Sequence, residues 1–211
     1  MTAPLPDMAH RFVAATRPGL PPLLLLHGTG GNEDDLLPLG ERLLPGAALL
    51  SPRGQVLENG KPRFFRRLAE GVFDLDDLRR RTHELADFVE AARQSYDLGP
   101  MPPIAVGFSN GANIAAAVLL LRPGTLGGGL LLRPMVPLVP DPLPALGGVP
   151  VQLNAGMADP IVTRAQSEAL ADLLRRSGAS VSLDWIRGGH GLTPSDLDIG
   201  ARWLATVSGK G

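Results

Sequence analysis

The stretch I-A-V-G-F-S-N-G-A-N-I-A-A-A-V-L-L-L, from Ile104 to Leu121, decides how the rest of the chain is read. Ile104–Val106 is a short apolar run of the kind found in strands buried on both faces. Gly107-Phe108-Ser109-Asn110-Gly111 then turns, and the apolar segment beginning at Asn110 has the length and composition of a buried helix. A serine on a sharp turn between strand and helix, flanked as G-x-S-x-G, is a nucleophile elbow. The turn imposes strained backbone angles on the serine, glycines on either side remove the side chains that would clash, and Oγ is held above the sheet beside the helix N-terminus.

The wider segment Leu98–Leu121 carries no charge and so imitates a membrane span. Pro100, Pro102, Pro103 and the Gly-rich turn interrupt it, leaving an apolar run well short of the roughly 20 residues a span needs. Strand, sharp turn and buried helix is the reading that accounts for the interruptions.

Working outward, Leu23–Leu26, Ala47–Leu50, Leu130–Leu132 and Val151–Leu153 are further short apolar runs bounded by turn residues. Val181 to Ile186 alternates instead, as a less covered edge strand does. Helices are expected between them. In Leu75–Tyr96 the inward stripe is Leu75, Leu78, Thr82, Leu85, Val89, Ala92 and Tyr96, and Asp76–Arg80 and Asp77–Arg81 pair one turn apart. The others are Asp34–Leu44 with Asn32 as cap, Asn110–Leu121, Thr163–Arg176 and Asp196–Val207. Strands alternating with helices make an α/β fold, a mostly parallel sheet with helices on both faces. At 211 residues, with no internal repeat or linker, the chain is expected to form one domain over residues 1–211. The Pro-rich stretch from Arg133 to Pro150 is expected to be a rigid surface loop, the competing reading being a wall of a substrate pocket.

Composition narrows the function. Twenty Lys and Arg against twenty-one Asp and Glu leave a net charge of −1, which gives no field to attract nucleic acid or an anionic membrane. Without cysteine there is no disulfide, thiolate metal site or Cys nucleophile. Gly (26) and Pro (21) make the chain rich in turns, yet 44% hydrophobic residues supply a core. The N-terminal M-T-A-P-L-P-D-M-A-H-R-F has neither a basic start nor an apolar run, so a cytoplasmic protein is expected.

A serine hydroxyl is a weak nucleophile until a base takes its proton, and the usual base is a histidine oriented by a carboxylate. The chain order accompanying such an elbow is Ser, acid, His. His10, His27 and His83 precede Ser109, which leaves His190 in G-G-H-G after the last expected strand. Between Ser109 and His190 the acids weighed are Asp141, Asp159, Glu168, Asp172 and Asp184. Asp141 falls in the Pro-rich stretch, Glu168 and Asp172 in a helical pattern and Asp184 within a strand. Asp159 follows the strand Val151–Leu153 at the carboxyl end of the sheet, where ligands bind in such folds; its competing role is to cap the next helix. Oxyanion donors are expected from the backbone N–H of Asn110 and, in the loop H-G-T-G-G-N-E after the first run, of Thr29. That loop is no dinucleotide fingerprint, because Glu33 stands where the third glycine belongs and Glu33, Asp34 and Asp35 would repel phosphate.

Taken together, L-L-L-H-G-T-G-G-N-E-D-D-L (Leu24–Leu36), S-P-R-G (Ser51–Gly54), R-F-F-R-R (Arg63–Arg67), G-F-S-N-G-A-N (Gly107–Asn113), A-D-P (Ala158–Pro160) and G-G-H (Gly188–His190) resemble the phospholipase/carboxylesterase branch of the α/β-hydrolase superfamily. The blocks span nearly the whole chain in family order. The resemblance implies a single-domain α/β-hydrolase fold without a large lid domain and an esterase whose triad is Ser109, Asp159 and His190, with Thr29 and Asn110 as oxyanion amides. Relatives' substrates include thioesters and lysophospholipids. Two departures stand out: Asn110 replaces a common Gln, and Gly191-Leu192 follows His190 in place of a more acidic segment.

Arg63-Phe64-Phe65-Arg66-Arg67 offers two readings. Phe64 and Phe65 can face an apolar or aromatic group with Arg66 near a carboxylate, or the phenylalanines lie buried beneath a solvated basic loop. Phe64, Phe65 and Arg66 are the pocket candidates; Trp185 and Trp203 are read as core.

The resulting expectation is a serine hydrolase that cleaves small-molecule carboxylic esters through an acyl-enzyme, needs no cofactor or metal, and does not insert into membranes. A mean hydropathy of +0.10 with near-neutral charge favours a self-associating surface, hence a homodimer. The alternative is a non-catalytic small-molecule receptor on the same fold. Thioesterases and acyltransferases share the acyl-enzyme half-reaction and are not separated from esterases by these residues.

Overall fold

The computed structural model describes residues 5–209, so the first four residues of the segment read for a secretory signal lie outside the described residues. Six parallel strands form from the apolar runs and the alternating segment at Val181–Ile186. β2 (Leu23–Leu26), β3 (Leu49–Pro52), β8 (Ile104–Phe108), β9 (Gly128–Leu132), β10 (Pro150–Gly156) and β11 (Ser180–Ile186) lie in the order β3-β2-β8-β9-β10-β11, each parallel to the next. β1 (His10–Val13) adds a seventh, antiparallel strand on β3. Every residue of β2 and β9 is buried, whereas β11 at the far edge alternates, which is the difference between a covered and a half-covered strand.

The two faces of the sheet feed two cores. Leu24, Leu26, Ala105, Leu131 and Leu153 pack with α2 (Leu75–Ser95), α3 (Asn110–Leu121) and α4 (Arg164–Arg176). Leu23, Leu25, Val106, Leu130 and Leu132 face α1 (Leu37–Leu43) and α5 (Pro194–Ser208). Successive strand residues pointing to opposite faces produce this division.

Several expectations need correction. The first helix begins at Leu37 and not at Asp34, because Asn32 Oδ1 accepts from Asp34 N at 2.7 Å and holds a turn there instead of a cap. Leu75 is exposed at the start of α2, Phe88 joins the buried stripe further along, and Tyr96 sits just past the helix stacked on Phe12 at 4.1 Å. Arg80 pairs with Asp77 and Glu84 instead of Asp76. The beginning of the Pro-rich stretch is not a surface loop, since Arg133, Met135 and Leu138 are buried in it. Trp203 packs on the second core, while Trp185 lies under the Arg164 guanidinium at 4.3 Å.

Between β3 and α2 the chain leaves the sheet for two small hairpins, β4 (Val56–Glu58) with β5 (Lys61–Arg63) and β6 (Arg67–Ala69) with β7 (Val72–Phe73). Among the described residues no helix is long and apolar enough to cross a membrane.

β8, the turn and α3 close on each other and on β2 without room for side chains. A Cβ on Gly107 would stand 2.6 Å from the Gly111 carbonyl oxygen, and one on Gly111 would stand 2.0 Å from the Leu26 carbonyl oxygen. Both obstacles are backbone and cannot swing aside. Gly111→Ala is therefore expected to lower the unfolding free energy by about 3 kcal/mol or more, read as a drop in urea midpoint.

Candidate active site

Ser109 sits at the crossing of β8 and α3 with φ 52 and ψ −112, a conformation that L residues rarely adopt. Its N–H still donates to Leu132 O at 2.9 Å and its carbonyl accepts from Asn113 N at 3.0 Å, so strand and helix both grip the strained residue. Such a residue costs about 1–3 kcal/mol and persists because its surroundings over-determine it.

The three candidate triad residues come together from separate loops. His190 Nε2 lies 2.9 Å from Ser109 Oγ, and His190 Nδ1 lies 2.8 Å from Asp159 Oδ2. The Asp159 side chain is 1% exposed, and its other oxygen accepts from the N–H groups of Ile161 (2.8 Å) and Val162 (3.0 Å). Asp159 does not cap the next helix, whose N-cap is Thr163; its Oδ1 holds the turn that precedes the cap while Oδ2 meets His190. Asp141 and Glu168 remain outside this arrangement, Glu168 pairing with Arg164 and Asp172 with Arg176, while Asp184 accepts from Gln152 Nε2.

Thr29, Asn110, Ser109 and His190 share the wall of a cavity of about 310 Å³. The Thr29 loop is braced from below. Arg53 binds Glu33 through both carboxylate oxygens at 2.5 Å, and this pairing holds the Glu33 carboxyl at about 2, far below its usual range. His27 faces the Gly28 carbonyl through Nδ1 (2.7 Å) and accepts the Gly54 N–H at Nε2 (3.0 Å), an arrangement that needs the neutral ring. Burial lowers its pKa accordingly. The S-P-R-G block earns its place here, since a Cβ on Gly54 would lie 2.3 Å from the Arg63 backbone.

The pocket candidates fall elsewhere. Phe64 and Phe65 are buried in the core, Phe64 against His27 at 4.7 Å, and Arg66 points outward to Asp74. The loop buries its apolar residues beneath the cavity floor, so its neighbours Arg63 and Arg67 supply the lining, joined by Phe73, Met135 and Ile161. Arg66 lies between β5 and β6 and turns out to Asp74, while Arg63 at the end of β5 and Arg67 at the start of β6 reach the cavity, and no pattern in the sequence made that legible.

Arg133 is the residue that sequence reading missed. It is completely buried, at φ 56, one residue past β9. Its guanidinium binds both oxygens of Asp196 at 2.8 Å, and donates to the carbonyls of Gly189 and Gly191 at 3.0 Å and of Asn154 at 3.1 Å. The carbonyls on either side of His190 are therefore tied to one buried cation. A Cβ on Gly156 would stand 2.4 Å from the Gly189 carbonyl, so the loop also lies flat on the end of β10. Burial raises the Asp196 carboxyl, but Arg133 and the Thr193 donors outweigh it and the pKa is lowered.

Removing one partner from such a pair leaves the other charge buried and alone. Arg133→Met is expected to cost about 3–5 kcal/mol in urea unfolding. Because folding lowers the Asp196 pKa, the stability that the pair contributes is present above the ordinary carboxylate range and lost as pH falls through the lowered value. The deficit of Arg133→Met relative to the natural chain should narrow across that acid range.

No protein-family model matches the chain. It is 52% identical over 181 residues to a Bacillus subtilis (strain 168) protein named hydrolase MhqD, covering 86% of this chain and 90% of that one. The crystal structure of the Bacillus cereus carboxylesterase superposes with a TM-score of 0.93 at 46% identity, covering 96% of this chain and 95% of that one. A carboxylesterase from Mesorhizobium loti gives 0.88 at 33% identity, with 97% and 99% covered. With this identity and coverage, and a mostly parallel sheet that carries serine, histidine and aspartate at the ends of its strands, the chain belongs to the carboxylesterase family of the α/β-hydrolases.

Proposed function

We propose that this chain is a serine-dependent carboxylic ester hydrolase working through an acyl-enzyme. The observation that carries the reading is the continuous chain from Ser109 Oγ through His190 to Asp159, with contacts of 2.9 and 2.8 Å, on the wall of a cavity. His190 takes the Ser109 proton as Oγ attacks the ester carbonyl, and the developing oxyanion is met by the N–H groups of Thr29 and Asn110. Breakdown of the tetrahedral intermediate passes that proton to the leaving alcohol. Water then enters and gives a proton to His190 as it attacks the acyl carbonyl, and collapse of the second tetrahedral intermediate returns that proton to Ser109 Oγ and releases the acid. Asp159 keeps Nδ1 protonated and stabilises the imidazolium. The reaction needs no cofactor in this scheme.

A receptor on this fold could keep the same three residues, and what disfavours that reading is the hydrolase and carboxylesterase names of the similar proteins. A cytoplasmic setting and a homodimer complete the proposal. The exposed apolar side chains of Leu57, Leu68 and Val72 support self-association, and a monomer in light scattering at high concentration would overturn it.

Hydrolysis of p-nitrophenyl esters from acetate to palmitate tests the central claim. Ser109→Ala should lower turnover about 10⁶-fold while the fold persists. Retained activity in that variant would sink the proposal, and a fluorophosphonate probe should label the natural chain at Ser109 alone. Asp159→Asn should cost about 10⁴-fold. Oδ1 must stay an oxygen for the Ile161 and Val162 N–H groups, so the new NH₂ faces His190 Nδ1 and forces the proton onto Nε2, where it cannot accept from serine.

A further inference from the structure

The cavity wall beyond the candidate triad carries hydrogen-bond donors without a partner among the described residues. Asn110 and Asn113 are 2% and 4% exposed, and both line the cavity. The Asn110 Oδ1 accepts from Phe64 N at 2.7 Å and the Asn113 Oδ1 accepts from Met135 N at 2.9 Å. These backbone donors settle which end of each amide is oxygen, so the two NH₂ groups are the ends left over. Asn110 Nδ2 is buried and has no partner among the described residues.

Two arginines add to the same wall. Arg63, 3% exposed, is anchored through Nε to the Phe65 carbonyl (3.2 Å) and through Nη1 to Thr29 Oγ1 (2.7 Å). Arg67 is held through Nε by Glu58 at 2.9 and 3.1 Å, which leaves its terminal amino groups uncommitted among the described residues. Glu58 serves both cations, lying 3.2 Å from Arg63 Nε as well. One carboxylate thus faces two guanidinium groups. Burial, and then the neighbouring Arg67 charge, lower the Arg63 pKa despite Glu58. The remaining acid on the wall, Glu70, sits in the exposed turn of the β6–β7 hairpin, where water screens it.

We infer that the cavity reads a carboxylate carried by the ester substrate, received by the free guanidinium nitrogens of Arg67 and Arg63 and by the side-chain amide of Asn113. A planar two-oxygen anion matches the guanidinium fork, and its remaining lone pairs suit the amide donor. Arg63 also holds the Thr29 side chain, so the anion-reading wall and the proposed oxyanion loop share one residue and are positioned together. The inference rests on the ester-hydrolase reading and specifies its substrate class.

The experiment compares charged and neutral esters of matched size. On the acyl side the pair is the 4-nitrophenyl half-ester of adipic acid and its methyl diester. On the alcohol side it is 4-acetoxybenzoate and its methyl ester. Each kcat/KM is divided by the rate of hydroxide-catalysed hydrolysis of the same compound. The natural chain should favour the carboxylate-bearing member of one pair by about tenfold or more, and the pair that shows the preference assigns the anion to the acyl or the alcohol half. In Arg67→Met, with folding checked by its urea midpoint, the charged-to-neutral ratio should fall about tenfold, whereas Arg67→Lys should retain part of it. A ratio near one in both pairs for the natural chain, with the methyl esters hydrolysed in a Ser109-dependent way, would overturn the carboxylate subsite and leave the esterase reading intact. Failure to hydrolyse any of the four would overturn both.

Discussion

Gly111 passes so close to the Leu26 carbonyl oxygen, 2.0 Å from where a Cβ would be, that β2, β8 and the first turn of α3 meet as bare backbone. The site depends on that contact. It brings Ser109 to the level of the Thr29 loop, which leaves the sheet directly after β2, and it fixes the direction in which α3 departs. The rest of α3 is buried almost throughout, so the helix cannot shift to relieve its first turn. The strain at Ser109 is therefore imposed by a core that would lose far more by relaxing.

A second constraint works from the opposite side. His190 stands between two glycines in a loop with no regular structure, yet the carbonyls of Gly189 and Gly191 are both bound by Arg133. A buried ion pair is a poor source of net stability because both charges have lost water. Its use here is geometric: Arg133 spends its five donors on Asp196 and three carbonyls, and the loop that holds His190 has little freedom left. Asp159 is treated the same way, one oxygen being pinned by two N–H groups while the other meets the imidazole.

Much of this was legible beforehand, for identifiable reasons. β2, β8 and β9 are continuous apolar runs because both faces are covered, and α3 begins at the residue predicted because a G-x-S-x-G turn leaves no other start. Ser109, Asp159 and His190 could be singled out since their order along the chain and their positions after strands are constrained together. β1 was not legible: four residues, H-R-F-V, become a strand only because Tyr96 and β3 cover them. The two hairpins escaped for the same reason, having three or fewer residues per strand and no buried face to impose alternation. Arg133 was hidden by its surroundings, because a charged residue opening a Pro-rich stretch reads as surface until its partner sixty-three positions away is known.

The hairpins have a consequence for how such a protein can change over time. Ser109, Asp159 and His190 belong to the ends of sheet strands and share the cooperative unit of the main core, whereas Arg67 stands on a short ribbon, β6–β7, whose two strands pair only with each other. Segments of that kind open locally at a fraction of the global free energy. Replacements there alter what the cavity accepts without drawing on the stability of the sheet, so substrate range and chemical competence can drift separately in descendants of the same gene.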